Sequence, residues 1–217
     1  MAVVPMFPLG SVLLPGAVLP LHVFEPRYRR LVEVCAASED HEFGVVLIER
    51  GNEVGGGDVR RDVGTMARMV KVAEMPDGRY AVLAVGTRRI RVRSWLADDP
   101  YPSADVDEWP DEWPDDGSSG DEWPDDGSLG LMVASLTPRV LGAAALALEL
   151  GDPPREPRPE IGDDPLLAGY QLTNLAPLGE VDRYDLLCAS GPAARLTLLR
   201  DRLDDVEALL HFRLHAP

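Results

Sequence analysis

FPLGSVLLPGAVLPLHVFEPRYRRLVE, Phe7 to Glu33, is the stretch whose reading decides the fold. Glu25 is the first charged side chain in the whole sequence. Such a beginning reads either as a targeting or membrane segment or as the first strands of a folded domain. A signal peptide opens on Lys or Arg and continues as an unbroken apolar helix. Here no cation precedes the apolar run, and Pro5, Pro8, Pro15 and Pro20 interrupt it. Each proline removes an amide donor and clashes with the preceding helical turn, whereas a spanning helix needs about 20 apolar residues in a row. The folded reading takes Val12–Leu14 as a short β segment and Pro15-Gly16 as a turn. Ala17–Phe24 is then a second extended run, which Pro20 marks as an edge or bulged strand. Glu25-Pro26 opens a helix, with proline where its missing donor costs nothing. That helix runs to about Ala37, with Tyr28, Leu31, Val32 and Cys35 as its buried stripe and Arg27, Arg29, Arg30 and Glu33 toward water.

Working outward, the next segments are β-rich. Gly44–Glu49 and Met66–Ala73 read as strands, and Pro76-Asp77-Gly78 as a hairpin turn into Tyr80–Val85. After Gly86, Arg89–Trp95 reads as a further strand. Its alternation puts Ile90, Val92 and Ser94 on one face and Arg89, Arg91, Arg93 and Trp95 on the other. The second set is either a solvated outer face or an anion-attracting stripe that recruits acidic peptide or holds the chain's own acidic loop. It supplies the candidate binding residues. The expected architecture is α+β: a bent antiparallel sheet or pseudo-barrel over residues 1–106, then helices.

Thirteen carboxylates and no Lys or Arg lie between Ser94 and Pro138, which leaves 24 acidic against 21 basic groups elsewhere. The net charge of −16 therefore belongs mostly to one segment. Asp111–Ser118 recurs at Asp121–Ser128, and Asp107-Glu108-Trp109-Pro110 is a partial first copy. Proline, glycine and dense like charge argue against helix or strand, so residues 107–128 are expected to form a flexible acidic loop. It is a tolerated insert or a linear docking element. A helical part follows over 129–217. Leu129–Leu150 carries Pro138, Asp163-Asp164-Pro165 offers an N-cap, and Asp182–Ser190 is a short helix. From Ala193 to His211 the spacing of Leu196, Leu199, Leu203, Val206 and Leu210 gives a one-faced stripe, with Arg195, Arg200, Arg202, Asp204, Asp205 and Glu207 opposite.

Phe7–Tyr28 resembles the start of the Lon N-terminal (Lon substrate-binding) domain family almost end to end. Further resemblances follow in order: Phe43–Leu47, Val63–Arg68, Asp77–Tyr80 with Val85–Arg89, and Pro100-Tyr101-Pro102. The likeness is strong over about residues 4–108 and reduces to a helical pattern over about 129–214. It implies a compact PUA-like β part with a helical bundle packed onto it, and recognition of polypeptide segments.

Composition excludes several classes. A surface this acidic repels nucleic-acid phosphates. Cys35 and Cys188, 153 positions apart, read as small buried residues and not as a disulfide framework. No G-x-S-x-G elbow, Walker pattern or H-E-x-x-H spacing occurs, and the one lysine, Lys71, sits in a β run. His22 reads as a partly buried histidine, and His211 and His215 share a helical face near a frayed end. Glu25 is expected to make a structural contact. No cofactor or metal site is predicted. The expected function is a cytoplasmic, non-enzymatic polypeptide-binding module, a free-standing family member acting as an adaptor or chaperone-like factor. The sites to look at are the Pro15–Phe24 edge and the sheet–helix junction. The alternative is a small-molecule or modified-nucleoside binder using a PUA-like β pocket.

Overall fold

The computed structural model describes residues 2–112, 127–153, 161, 162 and 164–215. The chain divides into two compact units, Met1–Pro110 and Asp111–Pro217.

The first unit contains β1 (Ala2–Leu9), β2 (Val18–Val23), α1 (Pro26–Ala37), β3 (Glu42–Arg50), β4 (Val59–Glu74), β5 (Tyr80–Trp95) and β6 (Ser103–Glu108). The order is β2-β5-β4-β3-β1-β6, and β5 also pairs with β6. Strands β5, β4, β3, β1 and β6 thus close into a small barrel. One edge of β5 is shared: Tyr80–Val85 pairs with β2, and Ile90–Trp95 pairs with β6. Register shifts in β4 between Thr65 and Ala67 and between Met69 and Lys71 bend the sheet, as bulges do. Met6, Val46, Met66, Ile90, Val92, Ala104 and Val106 fill the inside. Phe7 stacks on Tyr28 with ring centroids 4.1 Å apart, which seats α1.

Four expectations for this unit are corrected. The first strand is Ala2–Leu9, and Val12–Leu14 is irregular backbone. Each half of β1 is bonded on one side, Ala2–Pro5 to β6 and Met6–Leu9 to β3, so Pro5 and Pro8 each have an unpaired side for the missing donor. The sheet is mixed and not wholly antiparallel, because β1 and β3 run parallel. The segments Tyr80–Val85 and Arg89–Trp95 form one strand. Gly86 does not break it. A Cβ there would lie 2.3 Å from the Leu14 carbonyl oxygen, so glycine permits a close backbone crossing. Finally, residues 107 and 108 of the expected acidic loop complete β6 and Ser128 begins a helix; residues 113–126 lie outside the described residues.

The second unit holds α2 (Ser128–Glu149), α3 (Pro165–Leu175), α4 (Glu180–Leu187) and α5 (Pro192–His215). Leu136, Val140, Leu172, Leu186, Leu196 and Leu199 lie at the centre of its core. Asp164 caps α3 by accepting the Leu166 N–H at 2.9 Å. Pro138 is inside α2 and exposed, where the lost hydrogen bond faces water. Helix α4 ends before Cys188, which is its C-cap. Arg195 does not face solvent: it is fully buried, its guanidinium 3.8 Å from the Tyr170 ring centroid and its Nη2 2.6 Å from Asp111.

Candidate functional site

Strand β2 is the open edge of the sheet. The Gly86 N–H donates to the Ala17 carbonyl at 2.9 Å, which makes 17/86 a hydrogen-bonded position of the antiparallel ladder. Bonded and non-bonded positions alternate, so 19/84, 21/82 and 23/80 are bonded in the observed register. The backbone groups of Val18, Pro20 and His22 therefore point away from β5. Pro20 falls where its missing donor breaks no ladder bond, which is how an edge strand accommodates proline. The side chains of Val18, Pro20 and His22 are exposed; His22 is not the partly buried group expected.

Beside this edge lies a groove of about 160 Å³ lined by Phe7, Leu9, Leu21, Val23, Tyr28 and Val54, with Phe24, Glu25 and Glu53 also contributing. Phe24 and Val54 are 54% and 58% exposed, apolar surface in reach of a ligand. Val54 belongs to the β3–β4 loop, which Arg27 fastens. Arg27 Nε donates to Glu25 at 3.1 Å and Nη2 to the Glu53 carbonyl at 3.3 Å. Glu25 also accepts the Gly55 N–H at 3.4 Å, and Glu53 the Gly10 N–H at 2.5 Å. Gly55, Gly56 and Gly57 all have positive φ, a backbone only glycine adopts readily. Glu25 thus makes a structural contact, and Arg27 is half-buried, not turned to water. Asp58 closes the loop on Arg60 at 2.6 Å, with Arg60 also 2.7 Å from Asp98. Burial pushes the Asp58 carboxyl up, but the hydrogen bond and charge of Arg60 outweigh it and hold it below the usual range.

The four predicted binding residues share β5 but not one environment. Arg89 is buried, Arg91 and Arg93 are exposed, and Trp95 is half-buried beneath Arg60, 4.7 Å from its ring centroid. Arg89 and Arg91 stack on Trp109 at 4.5 and 4.2 Å. The Trp109 N–H donates to the Arg89 carbonyl at 3.0 Å, and Arg89 Nη2 donates to the Pro110 carbonyl at 3.1 Å. Arg93 pairs with Asp107, and the neighbouring Arg88 with Glu108 at 2.7 Å. Their present partner is the start of the chain's own acidic segment. The groove residues Glu53 and Val54 escaped the sequence reading, since an irregular polar loop has no periodicity; its only signal was the run Gly55-Gly56-Gly57.

Burial pushes the Tyr28 hydroxyl up to about 12, far from the value near 7 that suits a general acid or base. Burial likewise pushes the Cys35 thiol, on the inner face of α1, up to about 12, which disfavours the nucleophilic thiolate. Among the described residues no group of three or more His, Cys, Asp or Glu side chains is placed to hold a metal ion.

Known proteins match this arrangement. The crystal structure of a Lon N-terminal domain protein from Xanthomonas campestris superposes with a TM-score of 0.64 at 31% identity, covering 93% of this chain and 98% of that one. The N-terminal domain of a Mycobacterium avium complex Lon protease gives 0.62 at 19% identity over 94% and 99%, a likeness of fold. Lon protease 2 of Sorangium cellulosum is 37% identical over 111 residues, half of this chain, and Lon protease of Anaeromyxobacter dehalogenans 34% over 152 residues, 68% of it. The chain spans 14% and 18% of the lengths of those two proteins. The family profile described as the ATP-dependent protease La (LON) substrate-binding domain matches residues 3–205. With that match running through both units, the chain belongs to the Lon substrate-binding domain family.

Proposed function

We propose that the chain is a non-enzymatic polypeptide-binding module that captures extended, apolar segments in the cytoplasm, as an adaptor or chaperone-like factor. The observation that carries the reading is the open β2 edge beside the apolar groove. An extended segment bonds to the outward backbone groups of Val18, Pro20 and His22 and sets alternate side chains against Phe24, Leu21 and Val54. This is recognition by strand addition, where main-chain bonds supply affinity and side-chain pockets supply selectivity. The family match and the named Lon relatives support a substrate-recognition role. Of the β5 stripe, Arg89, Arg91 and Arg93 are assigned to holding the chain's own Asp107–Pro110, while Trp95 packs beneath Arg60. A ligand pocket inside the barrel gains no support, since Met6, Met66 and Ile90 fill that space.

The test measures binding of fluorescein-labelled apolar peptides by anisotropy, and suppression of aggregation of a denatured protein without nucleotide. The double variant Phe24→Asp/Val54→Asp is expected to lose both activities while keeping the wild-type circular dichroism spectrum. Wild-type binding that survives the double substitution, or hydrolysis of the peptide by the purified chain, would overturn the reading.

A further inference from the structure

The outward face of α2 is apolar where a solvated helix is expected to be polar. Leu129, Leu136, Val140, Ala143 and Ala147 face the core of the second unit. The opposite side carries Leu131, Ala134, Pro138, Leu141, Ala145 and Leu148, spaced 3, 4, 3, 4 and 3, and all six are exposed. Leu131 is 73% exposed, Leu141 41% and Leu148 40%. The helix has only two charged side chains, Arg139 and Glu149. Arg139 is held by Asp204 and Glu207 of α5, at 2.6 and 2.7 Å. The stripe itself is uncharged in a chain of net charge −16.

The pattern also says what covers this face. Read forward, the stripe is Leu-Ala-Pro-Leu-Ala-Leu; read backward, it is Leu-Ala-Leu-Pro-Ala-Leu. Laid antiparallel against itself, Leu131 meets Leu148, Ala134 meets Ala145, and Pro138 meets Leu141. A two-fold interface requires such self-complementarity, each contact between positions i and j occurring twice. Leucines spaced by small alanines permit close helix approach. Glu149 falls beside Gly130 of the opposed helix, so the stripe itself brings no like charges face to face. We propose that α2 is a homodimerisation helix that pairs antiparallel with α2 of a second copy of this chain.

The size of the surface sets the expected strength. A helix of 22 residues is about 33 Å long and about 10 Å across, a footprint on the order of 330 Å². That is well short of the roughly 800 Å² per partner of a standard tight interface. An interface this small makes the dimer weak and reversible. The surface lies in the second unit and its existence is independent of client capture at β2. Helix α2 is also long and apolar enough to cross a membrane. A lipid surface is therefore the competing occupant, which the test separates.

Sedimentation equilibrium of the full chain across the micromolar range is expected to show a monomer–dimer equilibrium. Leu141→Glu, at the centre of the stripe, is expected to raise the dissociation constant by about 100-fold and Leu131→Glu, at its end, by about 10-fold, with unchanged helical circular dichroism. Because Leu131 is mostly exposed, its replacement leaves the core intact even if Leu141→Glu fails to fold. Geometry is tested by cysteine pairs in a Cys188→Ser background. The double variant Ala134→Cys/Ala145→Cys is expected to form a covalent dimer on oxidation, and the Ala134→Cys single variant to form none. A monomer at every concentration, a dimer indifferent to both glutamates, or cross-linking by Ala134→Cys alone would overturn the proposal. So would binding to anionic or neutral vesicles that Leu131→Glu abolishes without any dimer in solution.

Discussion

Gly86 has backbone oxygen 2.3 Å from where a Cβ would stand, and Gly64 has the Val45 carbonyl oxygen at 2.1 Å. Neither neighbour is a flexible side-chain tip, so the strand cannot yield locally. Gly86→Ala is expected to destabilise the fold by about 3 kcal/mol, the upper part of the range for overpacking, read as a shift of the urea midpoint. Arg195 makes the opposite case, a charge whose partner is obligatory. With the guanidinium fully buried, removing Asp111 leaves it unpaired in the core. Asp111→Ala is expected to cost about 3–5 kcal/mol in the same measurement, while Asp201→Ala, in an exposed pair with Arg200, costs less than about 1 kcal/mol. Asp58 adds a pH dependence. Its carboxyl is held below the usual range chiefly by Arg60 against the opposing effect of burial, so the folded state prefers it ionised. That stabilisation is complete above the unfolded carboxylate value of about 3.9 and fades as pH falls through the lower folded value. Urea titrations from pH 6 downward, with pH 6 as an approximate start above both values, should show Asp58→Asn losing less stability on acidification than wild type.

At the scale of elements, the ladder parity of β2 makes a prediction that composition alone does not. Val18 and His22 turn their N–H groups outward, whereas Leu21 turns its N–H into β5. His22→Pro and Val18→Pro should weaken binding of an extended peptide yet leave the melting temperature nearly unchanged. Leu21→Pro should lower stability by removing a ladder bond. Equal loss of stability in all three would show that the assigned parity is wrong. The extent of β2 and its character as an edge were legible because Pro15-Gly16 and Glu25-Pro26 bracket it and Pro20 sits within it. Helix α1 was legible for a similar reason, since Pro26 fixes its start and Tyr28, Leu31, Val32 and Cys35 its buried side. What stayed hidden depended on neighbours distant in sequence. Pro5 and Pro8 were read only as interruptions of an apolar helix, and the strand that holds them went unread because its two halves are bonded to partners on different sides. Gly86 looked like a break because the Leu14 carbonyl that requires it arrives from 72 positions earlier. Arg195 looked solvent-facing because its partner, Asp111, lies in a segment read as unstructured. The candidate groove was half visible: Leu21 to Tyr28 came from the quoted stretch, but Val54 came from a loop with no pattern to read.

For the whole molecule, the question is whether its concentrated negative charge takes part in binding. The carboxylates at the start of the repeat have structural partners: Asp107 with Arg93, Glu108 with Arg88 and Asp111 with Arg195. Deleting residues 107–128 would therefore cut β6 and strip Arg195 of its ion pair, and lost binding would report lost folding. The informative change lies further along. Six carboxylates fall between Pro114 and Gly127, and their replacement by Asn and Gln lowers the net charge from −16 to −10 without touching those anchors. Capture at an apolar groove and a strand edge is driven by burial and main-chain bonds, which added salt screens little, whereas long-range attraction by exposed charge decays within about 8 Å at physiological ionic strength. The six-fold variant is expected to bind an uncharged apolar peptide with wild-type affinity, both proteins showing almost no dependence on salt and a negative heat-capacity change by calorimetry. A basic peptide is expected to bind the wild type faster at low salt, with the difference disappearing in the variant. If neutralisation instead abolished capture of the uncharged peptide, the acidic repeat and not the β2 groove would be the recognition element.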